Sequence, residues 1–282
     1  MRAFDELAPT LAVHQARTAG KRARAGLALL SRADPAPVWR AVAVQTRDAA
    51  RAIGPHRDAD VFAATAALLG RDSPREGPVP VPQLSDAAVA RVAEVADAAR
   101  PTDPATARAE SRRGFEAALH ALEAAPAPHI SPRALGRALR KSCAQARRRF
   151  QRSLRDPDNT EKMHDWRKAT KRWTYQLSLF TPAWPEVVGA MLRELDALQG
   201  DLGAHHDWVV LQEHLEGGLE GQLGETTPPD LAEHIAQGII RHGGDALARG
   251  RVVNMGHPRH IAGWLATSWG RVTGHSAERS LK

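Results

Sequence analysis

The chain of 282 residues carries a formal net charge of +7, has 5% aromatic residues and contains a single cysteine, Cys143. One cysteine excludes an internal disulfide, and the absence of any run of about 18 apolar residues excludes an ordinary membrane-spanning helix. The surplus of Lys and Arg favours an acidic partner, which would be a nucleic acid, inorganic polyphosphate or an anionic lipid surface.

The residue types of the chain favour helices. Alanine, leucine and arginine dominate the composition, and runs of β-branched residues are scarce. The first ten residues, MRAFDELAPT, contain no apolar stretch of the kind found in secretory signal peptides. Together with the lone cysteine, which fits a reducing compartment, these features predict an all-α protein of the cytoplasm that does not contact membranes.

The first predicted helix, residues 13–30, is amphipathic. It reads VHQARTAGKRARAGLALL, and at about 100° per residue His14, Arg17, Lys21 and Arg24 fall on one face, opposite an apolar face. A solvated helix face usually mixes both signs of charge, and this face contains no carboxylate. A single cationic run is more often a solvated face, so a function beyond solvation is indicated only if the same one-signed, histidine-centred pattern recurs in the chain.

Four further helices complete the first half of the chain. We predict them at residues 38–53, from about residue 57, and at 85–99 and 103–123. A Pro-rich loop at 71–84 has no periodicity and separates the second and third of these helices. The cationic side chains that these helices offer are Arg40, Arg47, Arg51, Arg57, Arg108 and Arg112.

A Pro-rich stretch at 125–132 marks the boundary between the two halves. The helix after it, residues 133–155, gathers six arginines within about a third of its circumference, and Arg137, Arg140 and Arg148 are three of them. The turn at Asp156-Pro157-Asp158 reverses the chain, so this helix and the next form an antiparallel hairpin. We expect the hairpin to bring two arginine-rich faces side by side.

The helix at residues 163–180 repeats the first one. Its sequence MHDWRKATKRWTYQLSLF aligns with residues 13–30 without a gap, and each copy is followed by a Gly-x-His-x-Asp run. This repetition of order and spacing indicates an internal duplication. The polar side chains of the second copy are His164, Arg167, Lys168, Lys171, Arg172 and Tyr175. Two cationic faces repel each other when packed closely, unless an anion lies between them.

The rest of the second half is less basic. A helix is predicted at 185–202, followed by a third helix with the carboxylates Asp207 and Glu213. A Gly-rich loop leads from there to two closing helices, at 230–250 and 257–269. The cationic surface is therefore not uniform over the molecule.

The duplicated pattern resembles the CHAD family, the conserved histidine α-helical domain. The resemblance rests on H-x-x-R-x-x-x-K-R followed by G-x-x-x-D, all of it occurring twice. It implies one CHAD domain built from two four-helix-bundle halves, residues 1–126 and 127–282, related by a pseudo-twofold axis. It also implies a basic central surface that binds inorganic polyphosphate without catalysing a reaction.

The predicted binding residues combine the positions of the family motif with the other cationic faces. The set is His14, Arg17, Lys21, Arg22, Arg24, Arg40, Arg47, Arg51, Arg57, Arg108, Arg112, Arg137, Arg140, Arg148, His164, Arg167, Lys168, Lys171, Arg172 and Tyr175. Arginine suits phosphate because its planar fork donates two parallel hydrogen bonds. We expect a cytoplasmic protein whose location includes polyphosphate granules.

Nucleic acid is the main alternative partner, as a weaker competitor for the same surface. Against it, no helix-turn-helix or zinc-finger spacing is present, and Trp166 and Trp173 fall on the face opposite the cations, which leaves no stacking platform. A protein-binding adaptor is a third possibility, but it would leave the one-signed faces unexplained.

A metal-binding function is a further alternative, because histidines recur near both signatures. These are His14, His56, His164, His205 and His206. No HxxxH or HxxE pair accompanies the signatures, and the flanking cations would repel a metal ion. With no P-loop, no GxGxxG and no nucleophile beside a base, we expect neither an enzyme nor a cofactor.

Overall fold

The structure is a computed structural model that describes residues 9–54, 85–98, 103–128, 130–218 and 228–272. Within these ranges the regular secondary structure is entirely helical. The helices are α1 (Pro9–Ala33), α2 (Val38–Ala52), α3 (Asp86–Ala98), α4 (Pro104–Glu123), α5 (Pro132–Arg155), α6 (Thr160–Ser178), α7 (Pro185–Gly218), α8 (Pro229–Val253) and α9 (Pro258–Val272). They hold more than half of the chain, which confirms the predicted all-α fold.

Most predicted helix boundaries agree with the structure to within a few residues, and one prediction is wrong. The two helices predicted at 185–202 and around Asp207 form the single 34-residue helix α7. Gly203 lies inside it, with open space where a Cβ would be. A glycine within a helix costs only about 1 kcal/mol relative to alanine, so it does not end a helix whose apolar side chains are buried on both sides of it. The helix predicted from about residue 57 and the loop at 71–84 lie outside the described residues.

Several helices begin at a side chain that caps their first turn. Asp103 accepts a hydrogen bond from the backbone N–H of Thr106 at the start of α4. Ser131 caps α5 in the same way, and Asn159 accepts from the backbone N–H of Lys162 at the start of α6. Each cap satisfies one of the backbone donors that a helix leaves unpaired at its N-terminus, and is worth about 1 kcal/mol.

Helix α6 is at the centre of the core. Its apolar face buries Met163, Trp166, Trp173 and Leu177 against α5, α7, α8 and α9. A Cβ on Gly250 of α8 would lie 2.6 Å from the Trp166 ring, so only glycine allows this approach. Because the apolar face of α6 is buried, its cationic face points outward.

Helix α1 joins the first half of the chain to this core. It packs against α2, α5 and α6. Leu27 of α1 is buried with Trp39 of α2 and Ala118 of α4. The buried amide of Gln176 on α6 donates to the carbonyl oxygen of Ala25 at 2.8 Å. This contact fixes α1 and α6 relative to each other.

An open apolar cavity of about 590 Å³ lies between α1 and α4. Small side chains of α1, among them Ala19, Gly20 and Ala23, form one wall, and Phe115 and Leu119 of α4 form the other. Among the described residues, no helix fills this cavity. The lining residues carry no charge, so the cavity does not suit a polyanion.

Helix α3 links the two halves of the chain. Its residues Ala88 and Val92 are buried in one cluster with Leu215 of α7 and Ile235 of α8.

The division of the domain into residues 1–126 and 127–282, and the internal duplication itself, stay predictions. In the part of the chain that the structure describes, no helix is both long and apolar enough to span a membrane.

Candidate functional site

A cleft runs beside the two signature helices α1 and α6. These helices pack on each other, α2 packs on α1, and α7 packs on α6. Together the four helices line an open cavity of about 930 Å³, which we call the central cleft.

Cationic side chains dominate the walls of the central cleft. Among the described residues, eight Lys or Arg side chains line it: Arg17, Lys21, Arg24, Arg47, Arg167, Lys168, Lys171 and Arg172. The carboxylates that also line it are Asp207 and Glu213, both on α7. A cavity with this excess of positive charge raises the local concentration of anions.

Helical spacing explains why the cations converge. Arg17, Lys21 and Arg24 are three or four residues apart, so they share one face of α1. The opposite face carries Ala16 and Leu27, which are buried against neighbouring helices. Burial of the apolar faces of α1 and α6 therefore turns both cationic faces toward the cleft.

Arg24 is one cation of the cleft whose pKa is perturbed. Its side chain is half-buried, and burial together with the charges of Arg172, Arg47, Arg51 and Arg17 lowers the pKa of Arg24 below that of an ordinary arginine. The guanidinium stays charged at neutral pH. Free energy is thus stored in the repulsion among these cations, and an anion bound between them would release it.

Two histidines whose rings are tilted against each other lie at the end of the cleft between α6 and α7. The ring centroids of His164 and His206 are 4.5 Å apart. Burial, with smaller contributions from Arg167, His164, His205 and Lys168, lowers the pKa of His206 to about 3. Burial and the neighbouring Lys168 and Arg167 also lower the pKa of His164. Both rings are therefore neutral at pH 7, and a bound polyanion would raise the pKa of each.

Carboxylates on α2 and α6 compensate part of the positive charge near the cleft. Asp165 forms an ion pair with Arg149, with 2.7 Å between the nitrogen and the oxygen, and lies 4.0 Å from the Nζ atom of Lys168. On α2, Asp48 accepts from the Nε atom of Arg47 at 2.9 Å. Exposed pairs of this kind contribute only about 0–1 kcal/mol. A phosphate chain can therefore compete for Arg47 and Lys168.

The sequence matches the model of one known family. The family model of the CHAD domain matches residues 2–216, which is more than half of the chain and includes both signature helices. The chain belongs to the CHAD family. No curated protein and no solved structure matches it. The four helices that line the central cleft of this CHAD protein lie wholly or largely within the matched residues.

The structure brings together half of the residues that the sequence predicted for the CHAD site. Those in the central cleft are Arg17, Lys21, Arg24, Arg47, His164, Arg167, Lys168, Lys171, Arg172 and Tyr175. Two more lie beside it. The guanidinium of Arg22 is 6.0 Å from the centre of the Tyr175 ring, and Arg51 is close enough for its charge to act on Arg24.

The remaining predicted residues that the structure describes do not line the cleft. They are His14 on α1, Arg40 on α2, Arg108 and Arg112 on α4, and Arg137, Arg140 and Arg148 on α5, while Arg57 lies outside the described residues. The expectation that α5 places its arginines beside the cationic face of α6 is wrong. Helix α5 uses its apolar face to pack on α6, so Arg140 and Arg148 point to another side of the molecule and line a different cavity.

Helix α7 contributes residues that were not predicted for the site. His206, Asp207, Glu213 and His214 line the central cleft. The signal for two of them was present in the second Gly-x-His-x-Asp run, which contains His206 and Asp207. The contribution of Glu213 and His214 could not be predicted without knowing that α7 is one continuous helix. In the described residues, no three His, Cys, Asp or Glu side chains are placed to hold a metal ion.

Proposed function

We propose that this CHAD protein binds inorganic polyphosphate in the central cleft. The observation that carries the proposal is the convergence of eight Lys and Arg side chains from three helices on one cavity, against two carboxylates from the fourth. Polyphosphate is a flexible linear chain of phosphate groups that carries about one negative charge on each. A cavity of about 930 Å³ accommodates several phosphates at once.

The chemistry of the cationic side chains fits a phosphate chain. The planar guanidinium of an arginine donates two hydrogen bonds to one phosphate, and the lysines add positive charge on flexible side chains. Arg24 and Arg172 repel each other in the empty cleft. A phosphate between them would replace repulsion with two attractive contacts, which favours binding over the empty state.

Nucleic acid fits the same cleft less well. Strong binding of a single strand uses stacking of bases on aromatic side chains in addition to charge. Among the described residues of the central cleft, Tyr175 is the sole Phe, Trp or Tyr side chain, and Arg22 lies near its ring. Polyphosphate has no bases, so the small number of aromatic side chains does not lower its affinity, and the cleft favours polyphosphate over nucleic acid.

We further propose that binding is not followed by hydrolysis. Cleavage of a phosphoanhydride bond normally requires carboxylates that hold Mg²⁺ against the phosphates. The carboxylates of the cleft, Asp207 and Glu213, are six residues apart on α7, and this spacing turns them about 120° away from each other. They are therefore poorly arranged to hold one ion together.

A displacement experiment tests this function. Labelled polyphosphate bound to the protein is challenged with unlabelled polyphosphate, single-stranded RNA and duplex DNA at equal phosphate concentration and matched salt. We expect polyphosphate to displace the label at the lowest concentration, and the length of the bound chain to stay unchanged on incubation with Mg²⁺. Displacement by RNA or duplex DNA at a lower concentration than polyphosphate would refute the proposed specificity. Shortening of the chain would refute the absence of catalysis.

A further inference from the structure

A second basic cavity lies on α5 and the start of α9, apart from the central cleft. Its volume is about 500 Å³, and it shares no lining residue with the cleft. Five of its lining side chains are Lys or Arg: Arg140, Lys141, Arg147, Arg148 and Arg259. None of the described residues that line it is a carboxylate.

Within the described part of the chain, no nearby carboxylate pairs with the cations of this cavity. Among the described residues, no carboxylate oxygen lies within 4.0 Å of Arg140, Arg148 or Arg259. Arg147 donates to the backbone carbonyl of Gly256, which is a neutral partner. The cavity therefore offers a concentrated positive potential to an anion from solution.

A row of rings leads away from the cavity along α9. His257 lines the cavity, and its Nδ1 atom accepts a hydrogen bond from the backbone N–H of Arg259 at 3.2 Å, which holds the ring in place. The ring centroid of His260 is 5.4 Å from that of His257 and 6.3 Å from that of Trp264. Trp264 is 58% exposed, which is unusual for so large an apolar side chain.

We propose that this cavity and the three rings form a separate site for single-stranded nucleic acid. Proteins that bind single strands combine a positively charged groove for the backbone with aromatic side chains on which bases stack. Here the α5 cations would contact the phosphates, and the rings of His260 and Trp264 would stack with bases. The seven helical steps from His257 to Trp264 span about 10 Å, which is room for two or three bases.

The rings distinguish this ligand from other polyanions. Polyphosphate has no bases, so an exposed tryptophan beside the cavity would add nothing to its binding. Duplex DNA keeps its bases stacked inside the helix, where Trp264 cannot reach their faces. A single strand is the polyanion that uses both the cations and the rings.

The test uses the full chain and two fluorescent probes of equal charge, a 20-nucleotide oligouridylate and an abasic strand of the same length. Trp264→Ala should weaken binding of oligouridylate by about five- to 100-fold and leave binding of the abasic strand unchanged. Ile240→Ala is the matched control, because Ile240 is also an exposed apolar residue on a helix. The double variant Arg140→Ala, Arg148→Ala should weaken binding of both probes.

The central cleft serves as the second control. Substitution of Arg24 and Arg172 by alanine should leave the affinity for oligouridylate within about twofold, whereas it should weaken polyphosphate binding. Circular dichroism checks that each variant is folded. If Trp264→Ala has no more effect on oligouridylate than Ile240→Ala, or if the cleft variant abolishes oligouridylate binding, the separate site does not exist.

Discussion

Arg24 offers a test in which stability and affinity move in opposite directions. It is half-buried in the central cleft, where burial and the charges of Arg172, Arg47, Arg51 and Arg17 lower its pKa. The substitution Arg24→Met removes the charge and keeps most of the length of the side chain. We expect the free protein to become more stable and the polyphosphate complex to become weaker.

The magnitudes follow from general electrostatics. Two unit charges about 8 Å apart repel by about 2 kcal/mol at an effective dielectric constant of 20, and physiological salt screens much of this. Removal of one cation from the cluster should thus stabilise the free protein by on the order of 1 kcal/mol. For a chain of this size that raises Tm by about 2–4 °C. A lost charge-assisted contact of about 1.5–3 kcal/mol should raise the Kd for polyphosphate about ten- to 150-fold.

The assays are thermal denaturation of the free protein in low and high salt, and calorimetric titration with polyphosphate. The gain in Tm should shrink in high salt, because screening already weakens the repulsion. Arg251→Met is the matched control, since Arg251 is exposed on α8 and does not line the cleft. A lower Tm together with an unchanged Kd would refute the role that we assign to Arg24.

Three further predictions concern pH, salt and packing. Burial lowers the pKa of His206 to about 3 and that of His205 to about 4, below the ordinary value of 6.5. The unfolded chain therefore binds protons that the folded one does not. Stability should fall as the pH drops from about 6.5 to 4, by up to about 1.4 kcal/mol per pH unit for each histidine, and urea denaturation that is independent of pH would contradict this. With eight cations in the cleft, log Kd for polyphosphate should rise linearly with log salt with a slope of about 4–6, and a slope near 1 in the titration would exclude a multi-phosphate site. Gly250→Ala should destabilise the fold by about 1–3 kcal/mol, because its Cβ would lie 2.6 Å from the Trp166 ring; an unchanged midpoint of denaturation would show that α8 can move away at no cost.

The sequence predicted the faces of the signature helices because a single helix determines them. Arg17, Lys21 and Arg24 share a face through their spacing alone, and so do Lys168, Lys171 and Tyr175. The same holds for the buried face with Trp166 and Trp173. Such predictions need no knowledge of the neighbouring helices, and the structure confirms the resulting all-α fold.

The sequence could not predict which helices share a cavity. The basic face of α5 is as clear in the sequence as that of α6, yet the packing of α5 turns Arg140 and Arg148 to a separate cavity. Conversely, α7 brings Glu213 and His214 into the central cleft because it continues past Gly203 as one helix. Both outcomes depend on interhelical packing, which residue spacing within one helix does not determine.

The central claim is that polyphosphate binds in the cleft and not merely to a basic protein. The most direct measurement compares the polyphosphate affinity of two triple variants that lose the same charge. Substitution of Arg24, Arg47 and Arg172 by alanine removes three cleft cations, and substitution of Arg241, Arg251 and Arg271 removes three exposed cations of α8 and α9. We predict that the cleft variant loses affinity about 100-fold or more, and the control variant only a few-fold. Equal losses from the two variants would contradict the account, because net charge alone would then explain the binding.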